Sequence, residues 1–459
     1  MTHKTSPAEL AQLTGAQRYF TKFFEGESAG GVLLLISTVI ALVFANVPAL
    51  QPAVRIWEVP FNLMIGSYHV FGPDFTIGAF VNDALMAVFF FTVGLEIKRE
   101  MTVGQLSSVK KATLPVFAAL GGMIFPALIF TIFNHGNPDT AHGWGVPMAT
   151  DIAFAIGILA ILGKKAPIGV KVFLTAIAIA DDLGSIVVLA VFYPTHAIHL
   201  LWLGLALVVF AALMIAGRLG VRKVWVTVIG GIALWYLVYL SGVHATIAGV
   251  LLAITVPYKT KINELRFGVS IQHLLDKFKS SSNAQIETLA NTEQLHVIHK
   301  MSEQLDAAEP LMHKFESNLQ PIVNFLIMPL FALANAAVAL HMDFAAPGIT
   351  GLSLGIFFGL LCGKPIGIFL FSYLAVKCKL SALPDGVKWP QVVALGVLGG
   401  IGFTMSIFID NLAFKADSLV NSGKVAILIT SATAAVVGYL IFAATAKKLS
   451  KTNTTNNNQ

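Results

Sequence analysis

Apolar runs long enough to cross a bilayer recur along this chain from about residue 29 to residue 445, and that repetition constrains the fold more than any other feature. A helix needs about 20 apolar residues to cross about 30 Å of hydrocarbon at 1.5 Å per residue. Twelve such runs can be read, at about 29–48, 78–97, 113–134, 145–163, 169–193, 199–217, 224–241, 243–257, 320–340, 351–376, 390–410 and 424–445. The composition agrees: 56% of the 459 residues are hydrophobic and only 12% charged, against about 25% charged in soluble domains. The sequence therefore predicts an all-α polytopic membrane protein.

The basic residues test the count, because Lys and Arg collect in cytoplasmic loops. With the amino terminus inside, 26 of the 30 fall in inside segments, Arg55, Lys415 and Lys424 lie outside, and Lys364 is left within the membrane. The bias predicts an even span number with both termini cytoplasmic. The net charge of +6 is thus topological and gives no ground for a nucleic-acid partner.

The segments divide as follows. Residues 1–28 form a polar cytoplasmic leader, too long before its first apolar run for a secretory signal, and 29–257 hold spans one to eight. Within them the outer loop 49–77, with "PFNLMIGSYHVFGPDF", can close as a hairpin. Residues 258–319 form a cytoplasmic insert in which Leu295, Ile298, Met301 and Leu305 recur at helical spacing, the pattern of an amphipathic helix. Spans nine to twelve occupy 320–445, and the Asn-rich tail 446–459 reads as disordered. Cys362 and Cys378 stand sixteen residues apart, about 24 Å along a helix, too far to pair within the chain.

Charge inside a bilayer costs about 2.5–3.5 kcal/mol per group on insertion scales, so each instance suggests function. Asp151, Asp181, Asp182 and Lys364 lie deep, with Asp83 and Glu96 nearer the ends of the second span. Successive helical residues point about 100° apart, so Asp181 and Asp182 cannot both face one small site. One can face an aqueous cavity and hold a proton or hard cation while the other pairs with a base, and Lys364 is the only deep one. Two spans also look interrupted. "PMATDIAFAIG" follows a proline, and "LGVLGGIGFTMSIF" gathers Gly396, Gly399, Gly400 and Gly402 before Thr404. Unwound backbone at membrane depth survives only where protein or a cavity satisfies it; close packing of small residues explains the glycines equally well.

Seven motifs go further: "NDALMAVFFFTVGLEIKREM" (82–101), "ATDIAFAIGILAILG" (149–163), "AIADDLGSI" (178–186), "SGVHATIAGV" (241–250), "PLFALANA" (329–336), "GKPIGI" (363–368) and "GIGFTMSIFI" (400–409). In these the chain resembles the NhaA-type sodium/proton antiporters of bacterial inner membranes. The resemblance implies twelve transmembrane helices in inverted repeats with two unwound crossing helices, no cofactor and no enzymatic reaction, Na+, Li+ and H+ as transported ions, the lipid bilayer as environment, and a homodimer formed through the 49–77 loop. It implies electrogenic, pH-regulated exchange of cytoplasmic Na+ or Li+ for external H+.

Carried over residue by residue, Asp182 is the principal ion-binding carboxylate, with Asp181 beside it and Thr150 close by. Asp151 and Lys364 offset the helix ends, and Lys364 is also a candidate proton carrier. Gly402 and Thr404 mark the second break. Glu96, His244 and Glu316 match positions of pH response or of the cytoplasmic funnel, and Asp83 a structural position at the outer entrance. The 258–319 segment is longer than in familiar members. Ser317 and Gln320, near Glu316, stand where histidines are expected, which puts the pH response in question. An intramembrane aspartyl protease would need Tyr-Asp and Gly-x-Gly-Asp motifs, and neither occurs.

Overall fold

The structure, a computed structural model, describes residues 29–456 apart from 62, 67, 73–74, 164–166, 195–196, 282–290 and 341–348. The expectations for the leader 1–28 and for residues 457–459 fall outside the described residues. Nine described helices are long and apolar enough to cross a membrane, and eleven spans result when each of two bent pairs is counted as one. The chain is therefore helical and polytopic.

The continuous spans are α1 (Ala29–Asn46), α2 (Ile77–Thr102), α3 (Val109–Phe133), α5 (Ile168–Phe192), α6 (Leu200–Arg218), α7 (Val224–Ser241), α11 (Leu311–Asn335), α12 (Thr350–Lys377) and the apolar part of α15 (Asp417–Asn456). The first bent pair joins Pro138–Met148 to α4 (Ile152–Leu162) at 43°, and the second joins α13 (Trp389–Gly399) to α14 (Phe403–Ala413) at 47°. These are the two stretches in which the sequence interrupts itself, at Pro147 and at the Gly399–Gly402 cluster.

The eighth apolar run differs from expectation. Its helix, α8 (Ile247–Thr255), has nine residues, about 14 Å at helical rise, because Gly242 takes a left-handed conformation that ends α7 and the chain reaches Thr246 before turning helical. It packs along α2, where Gly249 lies against the backbone of Ala87.

The most intimate helix pair is α3 with α12. A side chain at Gly121 would meet the carbonyl of Gly367, and one at Gly367 would meet that of Gly121, so the two backbones touch. This contact fixes α12, and with it Lys364, against the body of the protein. The core concentrates on α5, α13 and α14, which are buried along most of their length, while α6 and α7 present mainly apolar surface outward.

Outside the spans, the 49–77 loop carries a small antiparallel hairpin, Met64–Ile65 with Tyr68–His69. The insert forms two paired helices, α9 (Glu264–Ser280) and α10 (Thr292–Ala308). In α10, Gln294 and Val297 are buried, and Leu295, Ile298 and Leu305 of the apolar stripe face outward. The last helix runs to Asn456 where the sequence predicts disorder from 446, as no Gly or Pro interrupts "AKKLSKTNTTN".

The Gly121–Gly367 contact yields an expected outcome. Gly367→Ala should lower the stability of the detergent-solubilised protein by about 1–3 kcal/mol, the usual cost of overpacking, read as an earlier thermal melt. A variant melting with the parent would mean that the two helices can separate without loss.

Candidate functional site

The two helix breaks meet. Between Met148 and Ile152 the backbone is extended at Ala149 and Asp151, and the Asp151 amide, freed from helical bonding, donates to the Ile401 carbonyl at 2.7 Å in the other break. The Asp151 side chain then serves both helices that start here. Its Oδ1 accepts from the Phe154 amide at 3.0 Å, capping α4, while Oδ2 accepts from the Thr404 amide at 3.3 Å and the Thr404 hydroxyl at 2.5 Å at the start of α14. Helix N-termini carry unpaired amides and partial positive charge, and a carboxylate answers both. Thus Asp151 alone engages both N-terminal ends. Gly402 is required one residue upstream of α14, since a side chain there would run into Ser406 and the Ala149 carbonyl.

Lys364 takes a different partner. Its Nζ donates to Asp181 Oδ2 at 2.5 Å and to the Thr150 hydroxyl at 2.8 Å. The Thr150 oxygen lies 2.7 Å from Asp181 Oδ2 and 2.9 Å from the Gly399 carbonyl, so its single proton goes to one or the other. Because Gly399 ends α13, the ammonium sits one hydroxyl away from a negative helix end. Asp181 and Lys364 are each 1% exposed. A charge buried this deeply is retained only when paired and hydrogen-bonded.

Asp182 is left. It is 2% exposed, and among the described residues no donor engages it. It borders a cavity of about 590 Å³ together with Thr150, Asp151, Thr404 and Glu96, and the cavity continues to Gln105, just past the end of α2, and to Gln320 on α11. Among the described residues no three of His, Cys, Asp or Glu gather closely enough to chelate a metal ion. The three acids are therefore three separate devices: a double cap, an ion pair and an unengaged carboxylate facing water-accessible space.

The other predicted residues lie around this centre. Glu96 lines the cavity and is 3.8 Å from Arg99, whose guanidinium also binds Glu316, so the two acids and the arginine form one cluster beside it. Ser317 and Gln320 follow Glu316 on α11, and Gln320 reaches the cavity. His244 does not border it: the ring is buried, with Nδ1 3.0 Å from the Thr246 hydroxyl, and meets Phe408 edge-on. Asp83 lies near the N-terminal end of α2 within a turn that widens the helix, and its carbonyl accepts from Trp235 Nε1 at 3.1 Å.

Two polar groups escaped the sequence reading. Asp410 is fully buried on α14 with neither oxygen hydrogen-bonded, its carboxylate against Gly423. Asn82, Asn335 and Asn411 bond to one another across three helices. Asp410 was overlooked because it falls on the last residue of an apolar run, and the asparagines because uncharged amides leave no mark on a charge map.

Comparison with known proteins agrees with this architecture. The family described as Na+/H+ antiporter 1 matches residues 21–442. The chain is 42% identical over 422 residues to Na(+)/H(+) antiporter NhaA 2 of Helicobacter hepaticus, covering 92% of this chain and 94% of that one. It is 44% identical over 430 residues to Na(+)/H(+) antiporter NhaA 2 of Flavobacterium johnsoniae, covering 92% of each, and 40% identical over 429 residues to Na(+)/H(+) antiporter NhaA of Wolinella succinogenes, covering 93% of each. With a family match over almost its whole length and relatives of this identity, the chain belongs to the NhaA-type Na+/H+ antiporters, a family of membrane transporters and not of enzymes.

Proposed function

We propose that this protein exchanges cytoplasmic Na+, or Li+, for external H+ at Asp182 across a bacterial inner membrane, serving sodium and pH homeostasis. The observation that carries this reading is the unengaged Asp182 carboxylate facing the cavity, while Asp151 is bonded through both oxygens to two helix starts and Asp181 is bound through Oδ2 to Lys364 and Thr150. A carboxylate with no fixed partner can hold a proton or a hard cation but not both, and that competition couples the two fluxes. The neighbouring Asp151, Thr150 and Thr404 oxygens supply further oxygen ligands of the kind alkali cations prefer. Asp181, Asp182 and Asp151 interact electrostatically, so proton uptake belongs to the group and not to one residue. Lys364 is the candidate carrier of a second proton. If more H+ than Na+ crosses per cycle, each net charge gains about 2.3 kcal/mol per 100 mV, which makes exchange electrogenic.

The same reading gives twelve crossings. The eleven spans are completed by α8 together with the turn that leads into it, Gly242–Thr246, and an even count puts both termini on the same, cytoplasmic, side. The Pro138–Leu162 and Trp389–Ala413 pairs are then the two unwound helices, crossing where Asp151 meets Ile401. Each lies between two continuous spans, α3 and α5 in one case and α12 and α15 in the other, the pattern expected of inverted repeats. Under this topology the cavity opens to the cytoplasm, and Glu96, Arg99 and Glu316 beside it are the groups through which pH would regulate access, with His244 a buried participant. The outer hairpin is the proposed homodimer contact, as a two-stranded ribbon leaves both outer edges free to pair.

Two outcomes test the assignment. Asp182→Asn, inserted at parental levels in everted vesicles, should abolish Na+-driven and Li+-driven dequenching of a pH-gradient dye; undiminished exchange would refute the role of Asp182. Lys364→Ala should cost about 3–5 kcal/mol of stability by stranding the buried Asp181 charge, seen as early thermal unfolding. The double variant Asp181→Asn/Lys364→Met should recover most of that loss, because replacing both members of a buried pair removes the unpaired charge. Parental melting of the single variant would show that Asp181 does not depend on Lys364.

A further inference from the structure

Exchange requires that the site also open away from the cytoplasm, and the structure contains the contacts that close it there. From Asp182 toward the outer ends of α2, α11 and α14, the first layer is aromatic. The Phe408 ring on α14 lies 5.6 Å from Phe90 on α2, 6.3 Å from Phe331 on α11 and 5.3 Å from His244. None of these four borders the cavity at Asp182. One turn farther out, three side-chain amides join the same helices. Asn335 Oδ1 on α11 accepts from Asn411 Nδ2 on α14 at 2.7 Å and from Asn82 Nδ2 on α2 at 3.3 Å, and Asn335 Nδ2 donates to Asn82 Oδ1 at 2.8 Å and to the Phe331 carbonyl at 3.0 Å.

The placement is specific. Asn335 is 3% exposed and fully bonded, while Asn82 and Asn411 are half-buried, so the outer two can exchange Asn335 for water without stranding a buried charge. The α14 helix carries Thr404, bound to Asp151, near one end and Asn411 near the other, seven residues or about 10 Å apart. A rigid half-helix of that length passes movement at its outer end to the Asp151 cap.

We propose that Asn82, Asn335 and Asn411 are positioning residues for transport: a neutral latch that holds α14 against α2 and α11 while the site faces the cytoplasm and that parts when the site faces outward. The inference rests on the exchange and topology proposed above, and its test does not require transport to be read. Loss of a latch bond shifts the resting population toward the outward-facing state, and the apparent affinity from the cytoplasmic face falls in proportion to the population remaining inward.

The test uses the full chain with Cys362→Ser and Cys378→Ser, the two native cysteines replaced, and a reporter at Ile186→Cys, a buried position one turn beyond Asp182 on α5. In right-side-out vesicles a membrane-impermeant maleimide should label this reporter about threefold faster or more when Asn411→Ala or Asn335→Ser is added. In everted vesicles the same variants should raise the Na+ concentration for half-maximal exchange more than they lower the maximal rate. Outside labelling that neither variant changes overturns the proposal. A second construction guards against misfolding: with Asn335→Cys and Asn411→Cys and no reporter, a short reducible thiol cross-linker should stop exchange, and reduction should restore it. Exchange at the uncross-linked rate while cross-linked also overturns it. A parent chain that shows no Na+-driven proton movement but retains the labelling response would instead defeat the exchange reading and leave the latch standing.

Discussion

Everything at the centre of this protein depends on one carboxylate placed between two helix starts. Interrupting two helices at membrane depth exposes amides that lipid cannot satisfy, at a cost of several kcal/mol each. Asp151 removes most of that cost through its own amide on Ile401 and its side chain on Phe154 and Thr404. Once the breaks are tied together, the half-helices can end beside the cavity at Asp182 without unravelling, and the residues flanking the breaks, Thr150, Gly399 and Thr404, become available as polar lining.

That arrangement explains why three buried acids do not behave alike. Asp151 is held by the backbone charges of α4 and α14, and Asp181 by the Lys364 ammonium. Both are constrained by donors that cannot leave without stranding another buried group. Asp182, one residue along α5 and turned about 100° away, inherits none of these partners. The adjacency of Asp181 and Asp182 places a fixed negative charge beside a free carboxylate, so that in the proposed exchange a cation or a proton at the second would relieve repulsion from the first.

Much of this was legible in the sequence, for definite reasons. Eleven of the twelve apolar runs correspond to spans or bent pairs because hydropathy over about 20 residues is a strong signal. The breaks were legible at Pro147 and Gly399–Gly402 because glycine and proline mark interruptions locally. Helix geometry and the scarcity of deep bases pointed from one of the two adjacent aspartates to Lys364, and the family resemblance, not the geometry, set Asp182 apart as the ion-binding one. The eighth run yields a shorter helix than its hydropathy suggests, because an apolar turn and an apolar helix look alike by composition, and the left-handed Gly242 that ends α7 leaves no mark on a hydropathy profile. That Asp151 caps both helices could not be read from either segment, since Asp151 and Thr404 are 253 residues apart and their meeting is a property of tertiary packing.

The polar groups divide by chemistry along the transport axis. Around Asp182, the proposed ion ligand, the fixed groups are charges held by charges or helix ends, whose removal strands a partner and whose geometry is therefore rigid. At the proposed latch the contacts are aromatic rings and neutral amides, which exchange a partner for water at a small net cost. A salt bridge in the outer position would resist opening and would place a second fixed charge on the ion's route; an all-apolar seal would close the path without fixing which helices meet. The amide cluster between α2, α11 and α14 avoids both difficulties, and it does so on the same half-helix whose other end is held by Asp151.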